Sequence, residues 1–353
     1  MTSALVEQTG ADARTPASVT AISVVIATYN RIDSLLWLLD DLRVQTGVRG
    51  GFEVIVVDDG SAVAVESEVM ARPAGFRVAV LRQANGGPSV ARDRGIRASC
   101  GDVIVIVDDD MVIPPDFLAA HQQAHDAGAA VVLGLIRAPR FDKRLPLFER
   151  FHQDSLDRFV AAYRSGAVAV EGTRLCTGNV SFLRSAYLAV GGFDLTLMRC
   201  EDRDLGIRFE EAGYPFAFSE DGWSDHRSDH DSVPIWRRRS ALYGELDLRI
   251  SEKHPSRRQV SPWAFLAHLP KVAVPIVVTA AVVPPLGRTI AAFGYRLGLW
   301  ADRRGNGAAA IMGASLCYGC DYFSGVGAAL RRDGGSRSVV SSLRRFFANA
   351  PTA

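Results

Sequence analysis

The sequence predicts an α/β protein built on a doubly wound, mostly parallel sheet and followed by a helical, apolar appendage. Three observations predict the sheet. Short runs rich in Val and Ile alternate with amphipathic helical stretches, and the joins between them are brief. Clusters of polar residues, several of them acidic, follow directly on the apolar runs. In open α/β sheets ligands bind beyond the carboxyl ends of the strands, so such clusters should share one edge.

Taken in order, residues 1–20 carry Ala, Thr and Ser with no apolar period and read as a loose tail. Ala21 to Ala27 is a continuous apolar strand, as expected where both faces are covered. A helix from about Asp33 to Val44 places Leu35, Leu38, Leu39 and Leu42 on one face. Strands at Glu53 to Val57 and Phe76 to Leu81 follow, then Asn85-Gly86-Gly87-Pro88 and a helix to about Ser99. A fourth strand, Val103 to Val107, ends in Asp108-Asp109-Asp110, and helix 114–127 and strand 130–135 complete the set.

A hydrophobic content of 48% with 22% charged residues excludes a wholly disordered chain. A net charge of +1 gives no global pull toward nucleic acid or membrane. Five cysteines in 353 residues do not make a disulfide scaffold, and the lone C-x-x-C of Cys317 and Cys320 reads as packing in an Ala/Gly-rich helix. The N-terminus lacks a basic start followed by an apolar run, so no signal peptide is expected and reducing, cytoplasmic surroundings fit.

Beyond about residue 256 the character changes. Val272 to Leu286 is uncharged and apolar, but its 15 residues fall short of the ~20 a spanning helix needs, and three prolines interrupt it. Gly307 to Cys320 is a second apolar stretch. Membrane-surface helices, full spans and a soluble appendage all remain open readings.

Several residues could do chemistry. Three adjacent carboxylates repel one another, and a divalent cation with oxygen preference, Mn²⁺ or Mg²⁺, removes that conflict at Asp108 and Asp110. A solvated turn is the plain alternative. Asp58-Asp59 ends a strand at the same edge. Asn85-Gly86-Gly87 opens a helix carrying Arg92, and a helix N-terminus favours anions. Glu201, Asp202 and Asp204 open an amphipathic helix, which the helix dipole alone explains, although one carboxylate facing a cleft could serve as a general base. His226 and His230 stand four apart in a polar setting and could join a metal site.

In order, the segments SVVIATYNR (23–31), VIVVDDGS (54–61), NGGPSVARDRGIRAS (85–99), GDVIVIVDDD (101–110), TGNVSF (177–182), GGFD (191–194) and EDRDLGIRFEEAGY (201–214) resemble the family-2 glycosyltransferases of GT-A fold. The resemblance implies an inverting transfer from a nucleoside-diphosphate sugar over a domain at 21–255, with residues 256–353 as the appendage. It implies donor contacts from Thr28, Tyr29, Asp59, Arg92 and Asp108, with UDP favoured over GDP or dTDP. It assigns Asp108, Asp110 and His226 to the metal, with His230 as fallback. Asp202 becomes the base, with Glu201 beside it, and Gly178 and Asn179 fall on the acceptor side. Asp93 departs from the pattern, since relatives usually carry Asn there.

Relatives with similar apolar helices glycosylate lipid carriers or cell-surface polymers, so the resemblance also implies a hydroxyl acceptor of that kind. The arginine-rich end would then suit the cytoplasmic face of a membrane. A sugar-nucleotide pyrophosphorylase fits poorly, because its glycine-rich loop is replaced here by Thr28-Tyr29-Asn30-Arg31. A catalytically degenerate nucleotide-sugar-binding module is the remaining alternative.

Overall fold

A computed structural model describes residues 22–73, 75–137, 145–197, 199–227, 232–332 and 339–348. The expectations for the tail at 1–20 and for His230 lie outside them. The chain forms two compact units, Met1–Arg140 with Leu156–Ser228 and Phe141–Ser155 with Asp229–Ala353. The sequence boundary at 255 thus lies within the second unit. The physical reason is aromatic: Phe148, Phe151 and Trp236 are buried in the helical core, which draws the helices that carry them into that unit.

The first unit contains β1 (Ile22–Thr28), α1 (Ile32–Arg43), β2 (Phe52–Asp58), α2 (Glu66–Met70), β3 (Arg77–Arg82), α3 (Pro88–Ala98), β4 (Val103–Val107), β5 (Met111–Val112), α4 (Phe117–Asp126) and β6 (Val131–Arg137). Helix α5 (Leu147–Arg164) bridges the two segments, and β7 (Asn179–Leu183), α6 (Arg184–Ala189), α7 (Glu201–Glu211) and β8 (Phe216–His226) follow. The eight strands form one sheet in the order β3-β2-β1-β4-β7-β6-β8-β5.

From β3 to β4 the pairs are parallel, as the continuous apolar runs require of strands covered on both faces. Val24 and Ile26 point into one core with Leu35 and Leu38 of α1, while Val25 points into the other with Ala91 and Ile96 of α3. Beyond β4 the sheet is mixed: β7 runs antiparallel to both β4 and β6, β8 is parallel to β6, and β5 is antiparallel to β8.

Behind β7 lies a buried polar cluster. The Asn179 side-chain amide donates to the Gly222 carbonyl (2.8 Å) and the Ser224 hydroxyl (3.0 Å), so its Oδ1 faces His121 Nε2 at 3.0 Å as acceptor. His121 Nδ1 lies 2.8 Å from the Ser181 hydroxyl, which it shares with His125 Nε2, also at 2.8 Å. Burial depresses its pKa from 6.5 to about 3. The unfolded chain takes up this proton near pH 6.5 and the native one does not, so the stabilisation is complete above pH 6.5 and is lost as pH falls toward 3. His121→Gln should flatten the acid limb of stability between those values, by about 1.4 kcal/mol per pH unit in urea titrations. Parallel limbs for both proteins would remove His121 from the account.

The second unit is helical: the start of α5, then α8 (Val233–Lys253), α9 (Val274–Val282), α10 (Pro284–Arg303), α11 (Gly307–Arg332) and α12 (Val339–Ala348). Glycines let these helices touch at the backbone. A Cβ on Gly325 would lie 1.8 Å from the Ala241 carbonyl oxygen, and one on Gly327 1.9 Å from that of Ala281. Cys317 and Cys320 are buried within α11, where burial pushes both thiols up, Cys320 to about 11. Pro284 separates α9 from α10, and much of 307–320 faces the core of the unit. Among the described residues no helix is long and apolar enough to cross a membrane.

Candidate active site

The strand ends supply the site. Asp59, just past β2, accepts from the backbone N–H of Gly86 and of Gly87 (2.9 Å each) and from Gln83 Nε2 (2.8 Å), fixing the glycine loop that opens α3. Gly87 needs φ of +90°, which its lack of a side chain permits. Asp58 holds the neighbouring turn through Ser61 N and Arg82. Thr28, at the end of β1, is buried and donates to Asp109 Oδ2 at 2.7 Å. Tyr29 beside it is half exposed at the sheet edge.

The aspartate triplet divides its labour. Asp109 faces inward, and burial raises its pKa to about 6. Arg31 Nη1 reaches both Asp109 Oδ1 (3.3 Å) and Asp110 Oδ2 (2.6 Å). The antiparallel pairing of β5 with β8 sets His226 opposite Met111, and its Nε2 lies 3.5 Å from Asp110 Oδ2. Burial pushes the Asp110 carboxyl up, but His226 and Arg31 outweigh it and hold the group below the usual range. Its other oxygen, Oδ1, is buried with no hydrogen-bond partner.

That orphan oxygen and the adjacent imidazole fit a hard divalent cation. Among the described residues no three acidic, His or Cys side chains gather into a complete cage. Mg²⁺ and Mn²⁺ sites that use one or two carboxylates and complete themselves with phosphate oxygens and water need no such cage.

Arg92 joins the two halves of the site. From the second turn of α3 it donates to Asp108 Oδ1 (2.6 Å) and to Glu201 Oε1 (3.0 Å). Burial works against its charge, yet Asp108 and Glu201 raise its pKa further. Glu201 is buried, and burial with Asp202 alongside lifts it to about 7. Asp202 is less enclosed; its Oδ1 accepts from Arg203 N at 2.7 Å, and burial raises its pKa too. Asp204 is fully buried and paired with Arg208, so it is an internal group of α7.

Two backbone features fix α7 at the site. Cys200, just before it, adopts φ of +60°, unusual for a side-chain-bearing residue and costly unless its surroundings impose it. Gly206 packs on Gly172, in a 3-10 turn at Gly172–Arg174, so closely that a Cβ would lie 2.0 Å from the Gly172 carbonyl oxygen. Asp93 is explained as well: it accepts from the Tyr187 hydroxyl (2.7 Å) and from Arg97 (2.7 Å), and that hydroxyl accepts from Phe193 N in the Gly191-Gly192-Phe193 turn.

The structure therefore gathers Asp110 and His226 in one group with Arg31, and Asp108, Arg92 and Glu201, with Asp202 next to Glu201, in a second; the chain at 108–110 joins the two. Gly178 lies against the second, since a Cβ there would come 3.4 Å from Asp108 Oδ2. Asn179 does not join them, because its amide is spent within the sheet. Sequence reasoning missed Arg31, although it stands in the segment 23–31; no local pattern tells which acid an arginine will meet.

The family model for "Glycosyl transferase family 2" matches residues 23–185. Validoxylamine A glucosyltransferase of Streptomyces hygroscopicus subsp. jinggangensis is 30% identical over 274 residues, covering 69% of this chain and 63% of that protein. Pre-mycofactocin glycosyltransferase of Mycobacterium tuberculosis is 30% identical over 247 residues, covering 67% of this chain and 48% of that protein. The chain thus spans between about half and two thirds of the length of these curated relatives. A mannosyltransferase of Pyrobaculum calidifontis, solved in complex with GDP-Man and Mn²⁺, superposes with a TM-score of 0.56 at 21% identity, over 84% of this chain and 86% of that one. The fold is GT-A, and the chain belongs to glycosyltransferase family 2.

Proposed function

We propose that this protein transfers a sugar, with inversion, from a nucleoside-diphosphate donor to a hydroxyl of a lipid-linked or cell-surface glycan. The observation that carries the reading is the bridge of Arg92 between Asp108 and Glu201, which sets the strand-end acids beside Asp202. Tyr29 offers an exposed ring for the nucleobase, with Asp59 ordering the loop beneath it. UDP is the base we expect; the GDP-Man of the solved mannosyltransferase makes GDP the first competitor.

Asp108 and Arg92 orient the donor, and Asp110 with His226 would hold the divalent cation. When bound, that cation offsets the charge of the departing diphosphate. Asp202 takes the proton of the acceptor hydroxyl, and burial, by raising its pKa, makes it a stronger base than a free aspartate. Glu201 holds Arg92 in place. Relatives that act on undecaprenyl phosphate and in succinoglycan biosynthesis support an acceptor made at a membrane, and the enzyme then works at its cytoplasmic face.

The test is release of nucleoside diphosphate from UDP-, GDP- and dTDP-sugars, with Mn²⁺ or with excess chelator. Metal-dependent release from one of them is expected; binding without release would make the chain a nucleotide-sugar-binding module. Asp110→Asn should weaken Mn²⁺-dependent nucleotide binding at least ~10-fold by calorimetry, since an amide carries no charge to offset the ion. Unchanged Mn²⁺-dependent binding in that variant would end the assignment.

A further inference from the structure

We infer that the outward face of α10 docks this protein on an anionic lipid surface. The inference rests on the membrane part of the reading above and names the surface that would do it.

Leu286, Phe293, Leu297 and Trp300 recur at helical spacing and are all exposed, Phe293 to 66% and Trp300 to 50%. At 1.5 Å per residue the stripe runs for about 21 Å. It lies away from the buried face of the same helix, where Gly287, Ala291, Gly294 and Gly298 meet the core. Along one side of the stripe stand Arg296 and Arg303, and Arg288 lies further round the helix toward α8; all three are exposed, without ion-pair or hydrogen-bond partners for their side chains among the described residues. Arg304 caps the end, stacked 4.0 Å over the Trp300 ring.

An apolar stripe of aromatic and leucine side chains flanked by arginines is the pattern of a helix lying in the plane of a membrane interface. Charge selects the occupant. From Asp229 to Ala353 there are 17 Lys and Arg against 8 Asp and Glu, a formal +9 in a chain whose total is +1. A second copy would bring the same positive charge against this face, whereas anionic headgroups complement it. Between α8 and α10, Arg238 and Arg288 line an open groove of about 810 Å³ with Val233, Pro234, Thr289 and the Arg237–Asp321 ion pair, whose charges cancel and leave the two other arginines as its net charge.

The experiment is co-sedimentation of the full chain with phosphatidylglycerol–phosphatidylcholine vesicles and with phosphatidylcholine vesicles, at low and high salt. Two variants accompany it: Phe293→Ser with Trp300→Ser, and Arg288→Gln with Arg296→Gln and Arg303→Gln. Val63→Ser, at an exposed apolar site in the first unit, is the control, and thermal midpoints show that each variant folds. The wild type and control should prefer anionic vesicles at least ~10-fold at low salt, and each multiple variant should lose at least ~10-fold of that binding. Anionic binding that both variants keep within threefold overturns the α10 assignment while the membrane reading stands. A wild type that stays free of both vesicle types at low salt overturns both. If it is free of vesicles and the variants turn a dimer into a monomer, a second copy covers the face. None of these results bears on donor hydrolysis, which is measured without lipid.

Discussion

Asp202→Asn is expected to lower the rate of nucleoside diphosphate release at least ~100-fold while nucleotide affinity stays within about threefold. General base catalysis typically contributes ~10²–10⁴-fold, and an amide of the same shape cannot take a proton. The geometry separates the two acids of α7. Glu201 is buried and its Oε1 is occupied by Arg92, so it has no free path to an acceptor hydroxyl. Asp202 keeps partial exposure, and its carboxylate accepts only backbone N–H groups, those of Arg203 and Thr177, with no cation seated on it. Glu201→Gln should be milder and should change nucleotide affinity as well as rate, because it loosens the arginine that also holds Asp108. Release rates and calorimetric affinities for both variants decide the matter. An Asp202→Asn protein that keeps more than a tenth of the parental rate would place the base elsewhere.

Gly206→Val should be among the most damaging single changes in the first unit. Even the first carbon of a side chain would lie 2.0 Å from the Gly172 carbonyl oxygen, an approach that only backbone movement relieves. The same helix carries Glu201 and Asp202 on its first turn. Overpacking of a closed contact costs typically ~1–3 kcal/mol and sometimes more, so the denaturant midpoint should drop and any soluble protein should have lost activity. Gly213→Val is the comparison, since a Cβ there meets nothing within 4 Å, although its φ of +78° adds strain of its own. A Gly206→Val protein with the parental midpoint would mean that α7 is not pinned at this point.

The parallel half of the sheet was legible because its strands are continuous Val and Ile runs, and their observed bounds differ from the expected ones by a residue or so. Strand β8 was not, since Phe216–His226 mixes acids and serines with aromatics and has burial on only part of its length. The two-residue β5 is too short to leave a pattern. Around the site, the acids and Arg92 stood out through their order in the chain. The pairings did not: that Arg31 meets Asp109 and Asp110 depends on the parallel pairing of β1 with β4, which brings together residues nearly 80 apart in the chain. In the helical unit the apolar segments drew the eye, yet many of their residues fill the core. The exposed stripe on α10 is diluted by arginines in sequence and emerges only when the helix is wound.

Arg31 would also bear on how the proposed cation is admitted. Its guanidinium already rests on Asp110 Oδ2, so an incoming cation competes there with a group on the same chain. Tethering gives such a competitor an effective concentration on the order of millimolar or above, independent of the medium. A cation that took both oxygens of Asp110 would therefore bind with its intrinsic affinity reduced by the fraction of time that Oδ2 is released. A monovalent ion brings no more charge than the guanidinium it would displace and gains nothing by the exchange. A doubly charged ion would gain, so at the proposed metal site the arginine would filter ions by valence.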